Sequence, residues 1–447
     1  MVTEKSITEF LSDEYKEFAM YVVEGRAIPS VIDGFKPSQR KIIHGSSLVW
    51  KTGTEKPLKV FQLSGFIANK CFYHHGSTSL DNGIVTMAQR FKNNAPLLDE
   101  LGQYGSLRSP QAGAPRYIGT KLNNNFKLLY KDYDLLEFKE EEGESIEPKY
   151  FLPIIPTVLI NGSSGIAVGF ASNVLNRDVK SITDACIKVL SGKNPGEVKP
   201  SLNGFTGDFI QDNENNKRWI IRGKFLRVNT STVKISELPP SMTYEKYEEI
   251  LDKLVDDKII VTYDDNCKDN IDYVIKFTRA DLEKLDDEKL VKLLKLEESS
   301  TEIFSTLDEF GKLKIFENTS DIIKYFVDFR LTYYHKRKQF LLDKMNRDLK
   351  ILGNRGRFIK AILDGKLKVN NVAKAQIIEG IEAMSLDKID DSYDYLLRMP
   401  IYSLTKEVFD KLKEDFSTKK EEIKALEATD PKDMYVQDLT ELKKKFK

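Results

Sequence analysis

Residues 320–363 read SDIIKYFVDFRLTYYHKRKQFLLDKMNRDLKILGNRGRFIKAIL. The apolar side chains Ile322, Phe326, Phe329 and Tyr333, then Leu342, Met345, Leu349 and Leu352, recur at steps of three, four or longer multiples. No proline occurs between Pro240 and Pro400. The pattern predicts one uninterrupted helix from Ser320 to about Leu363. Its 44 residues would run about 65 Å at 1.5 Å per residue, more than a compact domain covers on one face. Such a helix needs a partner, and Thr405 to Glu427 supplies one: Phe409, Leu412, Phe416, Ile423 and Leu426 keep a–d spacing with charged residues between them. The intervening segment is long enough for the chain to reverse through a small globule and return antiparallel. Two ordinary core helices are the competing reading.

Working back from this element, Tyr15, Phe18, Ala19 and Val22 recur at helical spacing behind the candidate cap Ser12, which predicts a helical arm over 1–25. Residues 26–150 alternate helical and turn signals, including Asp33-Gly34 and Pro37, and close on the acidic stretch Glu137 to Glu147 around Gly143. That stretch is expected to be an exposed loop. From Phe151 short β-rich runs appear: PTVLING, GIAVGF, RWIIRGKFLRV, STVKISEL and DYVIKF. They predict a mixed α/β domain over 151–318, leaving 319–447 to the paired helices.

Formal net charge is zero, with 69 basic and 69 acidic residues, but the charge is segregated. From Arg26 to Gly76 there are eight basic residues against Asp33 and Glu55, a local balance of 8 − 2 = +6. A neutral chain that sorts its charge this way can hold a polyanion on one surface. Cys71, Cys186 and Cys267 are too few and too scattered for a disulfide framework or a cysteine zinc site. No signal peptide and no run of 18 apolar residues is present, so an intracellular, cytoplasmic protein with no membrane partner is expected.

Four segments carry candidate chemistry. In SPQAGAPRYIGTKL, Tyr117 follows small residues, Pro115 and Arg116, a setting for an accessible turn that another backbone can approach. A phenol attacks a phosphodiester only with its proton removed or its oxyanion stabilised, and an adjacent guanidinium can hold two phosphate oxygens while charge builds on phosphorus. In CFYHHGSTSL, His74 and His75 can donate to phosphate or shuttle a proton. No cysteine spacing or HExxH helix accompanies them, so no metal site is expected on this chain. In VIDGFKPSQRKIIHG, Lys36, Arg40 and Lys41 surround the Pro37 bend at a helix start, where phosphate is readily bound. Asn161-Gly162-Ser163-Ser164-Gly165-Ile166 lacks the Lys-Ser/Thr of a P-loop, and an exposed Ile166 after it would serve as a wedge between base pairs. For each segment a structural role is the alternative: a solvated face, a satisfied histidine pair, a core isoleucine.

Taken together these residues resemble the cleavage region of type IIA topoisomerases, which includes the gyrase A subunit and the C-terminal half of eukaryotic topoisomerase II. The motifs keep their order from Arg26-Ala27-Ile28-Pro29-Ser30 and IDGFKPSQRK through YHHG, APRYI, INGSSGIAVG and ISELPP to FVDFRLTYYHKRK, RFIKAILDGKL and YDYLLRMPIYSLTKE. The undivided Tyr73-His74-His75-Gly76 is closer to the eukaryotic branch than to gyrase, and a separate subunit of this size is similar to the T-even-like bacteriophage members. The resemblance implies a multidomain α+β fold: a winged-helix DNA-cleavage domain (26–150), an α/β tower domain (151–318), and a long antiparallel coiled coil with a C-terminal dimer gate (319–447).

It implies Tyr117 as nucleophile, Arg116, Arg40 and His75 as its assistants at the scissile phosphate, Ile166 as wedge, and Arg26, Lys36, Lys41 and His74 as DNA contacts. It further implies a homodimer on double-stranded DNA. A toprim-bearing ATPase partner would dock on the arm and bring both Mg2+ and ATP. Asn173-Val174-Leu175-Asn176 stands where relatives carry a proline-containing loop. No gyrase box is found in these residues, which favours relaxation and decatenation over supercoiling. The competing functions are a non-catalytic architectural DNA-binding protein, which would need no tyrosine beside Arg116, and a recombination nuclease, which would carry its own acidic metal fold.

Overall fold

A computed structural model describes residues 6–268 and 270–446, so residues 1–5 of the expected arm lie outside it. The chain divides into two compact units, Met1–Arg330 with Asp438–Lys447, and Leu331–Gln437.

The first unit opens with the arm, α1 (Ile7–Ser12) and α2 (Glu14–Val22). Ser6 and Glu9 form a reciprocal capping box at α1. Ser12, expected as a cap, instead ends α1, and Asp13 takes the cap position of α2. Neither helix buries a residue, and α2 ends in a five-residue π-helical turn, Val23–Ala27. Then come α3 (Pro37–Val49), started by a proline whose missing N–H costs nothing there, α4 (Val60–Lys70) and α5 (Ser77–Ala88). Their buried faces, Ile42 and Ile43, Leu63 and Ile67, Leu80 and Ile84, follow helical spacing and share one core. A two-residue ribbon, β1 (Leu58–Lys59) against β2 (Gly119–Thr120), completes the winged-helix arrangement.

One carboxylate organises this region. Asp33 is fully buried, and its two oxygens accept from Arg40 Nε (2.7 Å) and Nη2 (3.0 Å) and from the backbone N–H groups of Phe35 (3.1 Å) and Phe151 (3.0 Å). Its carbonyl accepts from Tyr130 Oη at 3.1 Å and Thr157 Oγ1 at 2.7 Å.

The acidic stretch is not a loop. Phe138–Glu141 pairs with Glu144–Pro148 across a turn in which Glu142 and Gly143 both have positive φ (52° and 82°), the geometry of a tight hairpin. Ile146 and Glu147 are both buried, and Glu147 takes Lys41 at 2.9 Å and Lys139 at 3.4 Å. PTVLING is likewise not a strand. Thr157–Asn161 is a helical turn whose first four side chains are all buried. In GIAVGF only the beginning is extended: Ser163–Ile166 pairs with Ala171–Val174, and the residues between them turn.

The remaining runs form strands as expected. Arg218–Arg222 is the centre of an antiparallel sheet with Asp208–Gln211 and Glu297–Thr301. A four-stranded antiparallel sheet follows, in the order Lys224–Asn229, Thr232–Glu237, Tyr273–Lys276, Thr262–Asp265. Val233, Ile235, Tyr273 and Ile275 pack from this sheet against Tyr247, Leu251, Leu290 and Leu294 of its helices. Its ISELPP end holds Arg108: Nη2 meets Glu237 Oε1 at 2.5 Å and Nη1 donates to the carbonyls of Pro239 (2.6 Å) and Met242 (2.9 Å).

The long helix is a single 45-residue element, Thr319–Leu363. In the second unit it lies beside Lys406–Ala428, capped by Thr405. Lys338 Nζ donates to the carbonyls of Glu427 (2.8 Å) and Thr429 (2.9 Å), whereas Gly353 meets Phe416 further along. The two helices therefore run antiparallel, as their periodicity predicts. The globule between them is built on Phe358, Ile381, Leu386 and Leu396.

Replacing Asp33 with alanine strands a buried guanidinium that makes two of its hydrogen bonds to that side chain. Asp33→Ala is expected to cost about 3–5 kcal/mol, read as a lower denaturation midpoint. A loss below about 1 kcal/mol would mean that the pair does not hold this region.

Candidate nucleic-acid cleavage site

Tyr117 stands on a turn tied down on both sides. Its N–H and that of Ile118 both donate to Ala114 O (2.9 and 3.3 Å). From the start of α4, Val60 N–H donates to Ile118 O (3.1 Å), Phe61 N–H to Pro115 O (3.2 Å) and Lys59 Nζ to Tyr117 O (2.5 Å). The backbone is thus fixed while Tyr117 as a whole is 66% exposed. Arg116 is also exposed, and its guanidinium carbon lies 4.8 Å from the Tyr117 ring centroid, a cation–π contact.

A separate cleft of about 580 Å³ gathers Arg26, Lys41, His74 and His75 with Tyr21, Tyr73 and Glu141. Arg26 comes from the π-helical turn, where one extra residue per turn re-aims side chains at many functional sites. It is exposed and has no ion pair among the described residues. His75 Nε2 lies 3.5 Å from Tyr21 Oη, and its ring meets Tyr73 edge-on. His74 Nε2 is 2.9 Å from Glu141 Oε1, and this hydrogen bond holds the Glu141 carboxyl below its ordinary pKa. Lys41 Nζ is shared between Glu147 (2.9 Å) and the carbonyl of Cys71 (2.5 Å).

Arg40 corrects the expectation from sequence. Its side chain is 7% exposed, and Nε and Nη2 are both directed to Asp33. It is a buried support of the IDGFK turn and is absent from the lining of the cleft. Arg26, expected only as a DNA contact, takes the open position beside the histidines.

Lys36 and Ile166 belong to a third location. Lys36 Nζ donates to Ser164 O at 2.7 Å, bracing the hairpin that carries Ile166, and burial pushes its ammonium pKa down. Ile166 is 87% exposed. The core alternative for this residue is excluded. Gly165 explains how the hairpin seats: a Cβ there would lie 2.1 Å from Ala27 O, so only glycine lets the strand press against the Arg26 segment. The proline-less Asn173–Asn176 edge is held by other means, with Asn173 and Ile303 exchanging backbone hydrogen bonds (2.9 and 2.8 Å) and Asn176 Nδ2 reaching Lys92 O (2.8 Å).

Tyr117 and Arg116 do not line the cleft. Tyr117 is bound at the start of α4 and the histidines follow its end, and the 11 residues of that helix span about 16 Å. Sequence reasoning missed Glu141, Tyr73, Lys59 and the Arg108–Glu237 tie. Tyr73 stood within the quoted YHHG motif. The other contacts join residues 58 or more positions apart, which no local pattern reveals. Among the described residues no three His, Cys, Asp or Glu side chains gather as a metal site, and no helix is long and apolar enough to cross a membrane.

Known proteins match this arrangement over nearly its whole length. The family described as the A subunit of DNA gyrase/topoisomerase IV matches residues 26–443. The DNA topoisomerase medium subunit of Enterobacteria phage T4 is 33% identical over 98% of this chain and 99% of its own length. The mitochondrial DNA topoisomerase 2 of Dictyostelium discoideum is 32% identical, and there this chain spans 35% of the relative. A crystal structure of the DNA-binding, cleavage and re-ligation domain of Plasmodium falciparum topoisomerase II superposes with a TM-score of 0.86 at 32% identity, covering 98% of this chain and 64% of that one. The fold and the matches define a class, the DNA-cleaving and rejoining chains of type II topoisomerases. Within it, the chain belongs to the family of the DNA gyrase/topoisomerase IV A subunits. The non-catalytic architectural reading falls away.

Two neighbouring substitutions separate seating from function. Gly165→Ala is expected to cost about 1–3 kcal/mol by overpacking against Ala27, while Ile166→Ala stays within about 0.5 kcal/mol of wild type as an exposed side chain. Thermal melts of the two variants check this, and equal destabilisation would contradict the hairpin geometry.

Proposed function

We propose that Tyr117 breaks a DNA strand by attacking a backbone phosphate, and that two copies of the chain together open a duplex for passage of another. The Tyr117 oxygen–phosphorus bond forms as the phosphorus–O3′ bond breaks, the phenolic proton departs and the 3′ oxygen gains one. The product is a 5′-phosphotyrosine and a free 3′ hydroxyl. One phosphoester replaces another, so resealing needs no external energy. Arg116, stacked beside the ring, offsets charge on the transferring phosphoryl group. Arg26, Lys41, His74 and His75 hold the phosphate or move a proton in the cleft, with Lys36 and Ile166 engaging the duplex nearby.

The observation that carries the dimeric reading is the helix-length gap between Tyr117 and the cleft. In-line attack needs contact at about 3 Å, so a nucleophile about 16 Å away along α4 serves the cleft of a second copy. We place the second contact between copies at the C-terminal gate of the coiled coil. The described carboxylates do not group to hold Mg2+, and the reading that fits is a partner chain supplying a toprim metal site and ATP hydrolysis. The arm supports docking of that partner, because Ile7, Phe10, Leu11, Phe18 and Tyr21 are exposed along two helices that bury nothing. The setting we infer is the cytoplasm, of the host if the chain is viral, and the net reactions are relaxation and decatenation.

Denaturant-trapped cleavage with the partner present, followed by mass spectrometry of the DNA-linked peptide, is expected to find the adduct on Tyr117. Tyr117→Phe should keep DNA affinity and lose the adduct. Mixing Tyr117→Phe with Arg26→Ala subunits should restore cleavage at one strand per dimer. Failure of the mixture to cut, with each variant dimerising normally, would put both groups in one copy. Removing residues 1–20 should weaken partner association and leave the dimer intact.

A further inference from the structure

The two histidines of the cleft are tethered by different elements. Residues 71–76 run between α4 and α5 outside either helix, and among the described residues His74 and His75 make no backbone hydrogen bond. Their rings are therefore placed by side chains. His74 has Glu141 of the acidic hairpin at 2.9 Å. His75 has Tyr73 edge-on, with ring centroids 5.3 Å apart, and Tyr21 Oη at 3.5 Å from its Nε2. The other ring nitrogen of His75, Nδ1, has no hydrogen-bond partner among the described residues. Tyr21 is not held in place by a core: it is 50% exposed, and α2 buries no residue. Its ring lies instead against Gly25, four residues on, where a Cβ would meet Tyr21 Cε2 at 3.3 Å. Any side chain at that position would press on the ring. Gly25 belongs to the π-helical turn that delivers Arg26, and Tyr21, Gly25 and Arg26 all line the cleft.

We propose that Tyr21 is a positioning residue for His75: its hydroxyl holds Nε2 and leaves Nδ1 to meet the scissile phosphate. This rests on the reading that His75 works at that phosphate. A hydroxyl donates to a neutral imidazole nitrogen and accepts from a protonated one, so Tyr21 suits either charge state of the ring. Neutral imidazole carries a single N–H, and the hydrogen bond made by one nitrogen decides which of the two bears it. With Tyr21 donating to Nε2, the proton sits on Nδ1, where it can be given to a phosphate oxygen as a hydrogen bond. Hydrogen bonds that serve catalysis are commonly long until substrate is bound and then tighten, so 3.5 Å is a separation that Tyr21 can close. The chain thereby places each histidine from a separate element, His74 from the acidic hairpin and His75 from the end of the arm. Direct contact of Tyr21 with phosphate is the competing reading, and it predicts a loss of DNA affinity.

Tyr21→Phe keeps the ring against Gly25 and removes only the hydroxyl. With the partner present, it should slow formation of the Tyr117 adduct about 2–10-fold, the worth of one neutral hydrogen bond, and leave DNA affinity unchanged. In a chain already carrying His75→Gln the same substitution should cost nothing further, because groups that act through one interaction are not additive. The ring proton can be read directly from 15N-histidine solid-state spectra of the DNA-bound chain at about pH 8.5, where imidazole is neutral. Of the chain's four histidines, His75 is identified as the signal missing from His75→Gln. It should carry its proton on Nδ1 and lose that preference in Tyr21→Phe. An equal cost of Tyr21→Phe with and without His75, or an unchanged His75 tautomer, would overturn the inference. So would a fall in DNA affinity that matches the fall in cleavage, since Tyr21 would then touch phosphate itself. If His75→Gln cuts as fast as the intact chain while Tyr21→Phe still shifts the tautomer, the contact stands and the reading of His75 at the phosphate falls.

Discussion

A single buried carboxylate fixes the cleavage region. Asp33 ties four segments together: its carboxylate holds the IDGFK turn, α3 through Arg40 and the strand edge at Phe151, and its main-chain carbonyl takes the Thr157 helical turn. Burying such a pair gains little over an apolar core, but removing one partner is expensive. The arrangement therefore contributes geometry more than stability. It sets the angle at which α3 leaves the turn, and with it the directions in which Lys36 and Lys41 point.

The same logic governs charge around the cleft. Zero net charge conceals a basic pocket whose cations are graded by their partners. Arg40 is neutralised inside the fold, Lys41 and Lys139 share the buried Glu147, His74 faces the exposed Glu141, and Arg26 is left open. Exposed pairs contribute little and yield readily to a competing anion. On the proposed reading, a phosphate in the cleft would find Arg26 open and could displace Glu141 from His74 at small cost. Displacing Glu147 from Lys41 would leave a buried carboxylate underpaired.

The large elements were legible in sequence because their signals are periodic and local. A helix as long as Thr319–Leu363 repeats its apolar stripe too often to be mistaken, and the Thr405 cap announces its partner. Small residues and Pro115 marked the Tyr117 turn for the same reason. What stayed hidden depends on contacts far apart in the chain. Arg40 looks like a solvated helix-start cation until Asp33 is seen to be buried beneath Phe151. The acidic hairpin was masked by its charge, since alternation is visible only if Ile146 is weighed against the glutamates around it. In PTVLING the β-branched residues suggested a strand, and burial on every side overrode that preference.

The anchoring of Arg108 has a consequence for how the molecule comes to exist. The loop that presents Arg116 and Tyr117 is stitched to itself and closed at its far end by Glu237, Pro239 and Met242, which lie 129 to 134 positions downstream. A ribosome adds about 5–20 residues per second, so the nascent loop waits roughly 7–26 s for its clamp to be made. Until then the tyrosine's own turn has its ties to Lys59, Val60, Phe61 and Ala114, but the loop that leads into it lacks its anchor. A growing chain on a translating ribosome thus carries the proposed nucleophile on a loop that is not yet anchored at its far end.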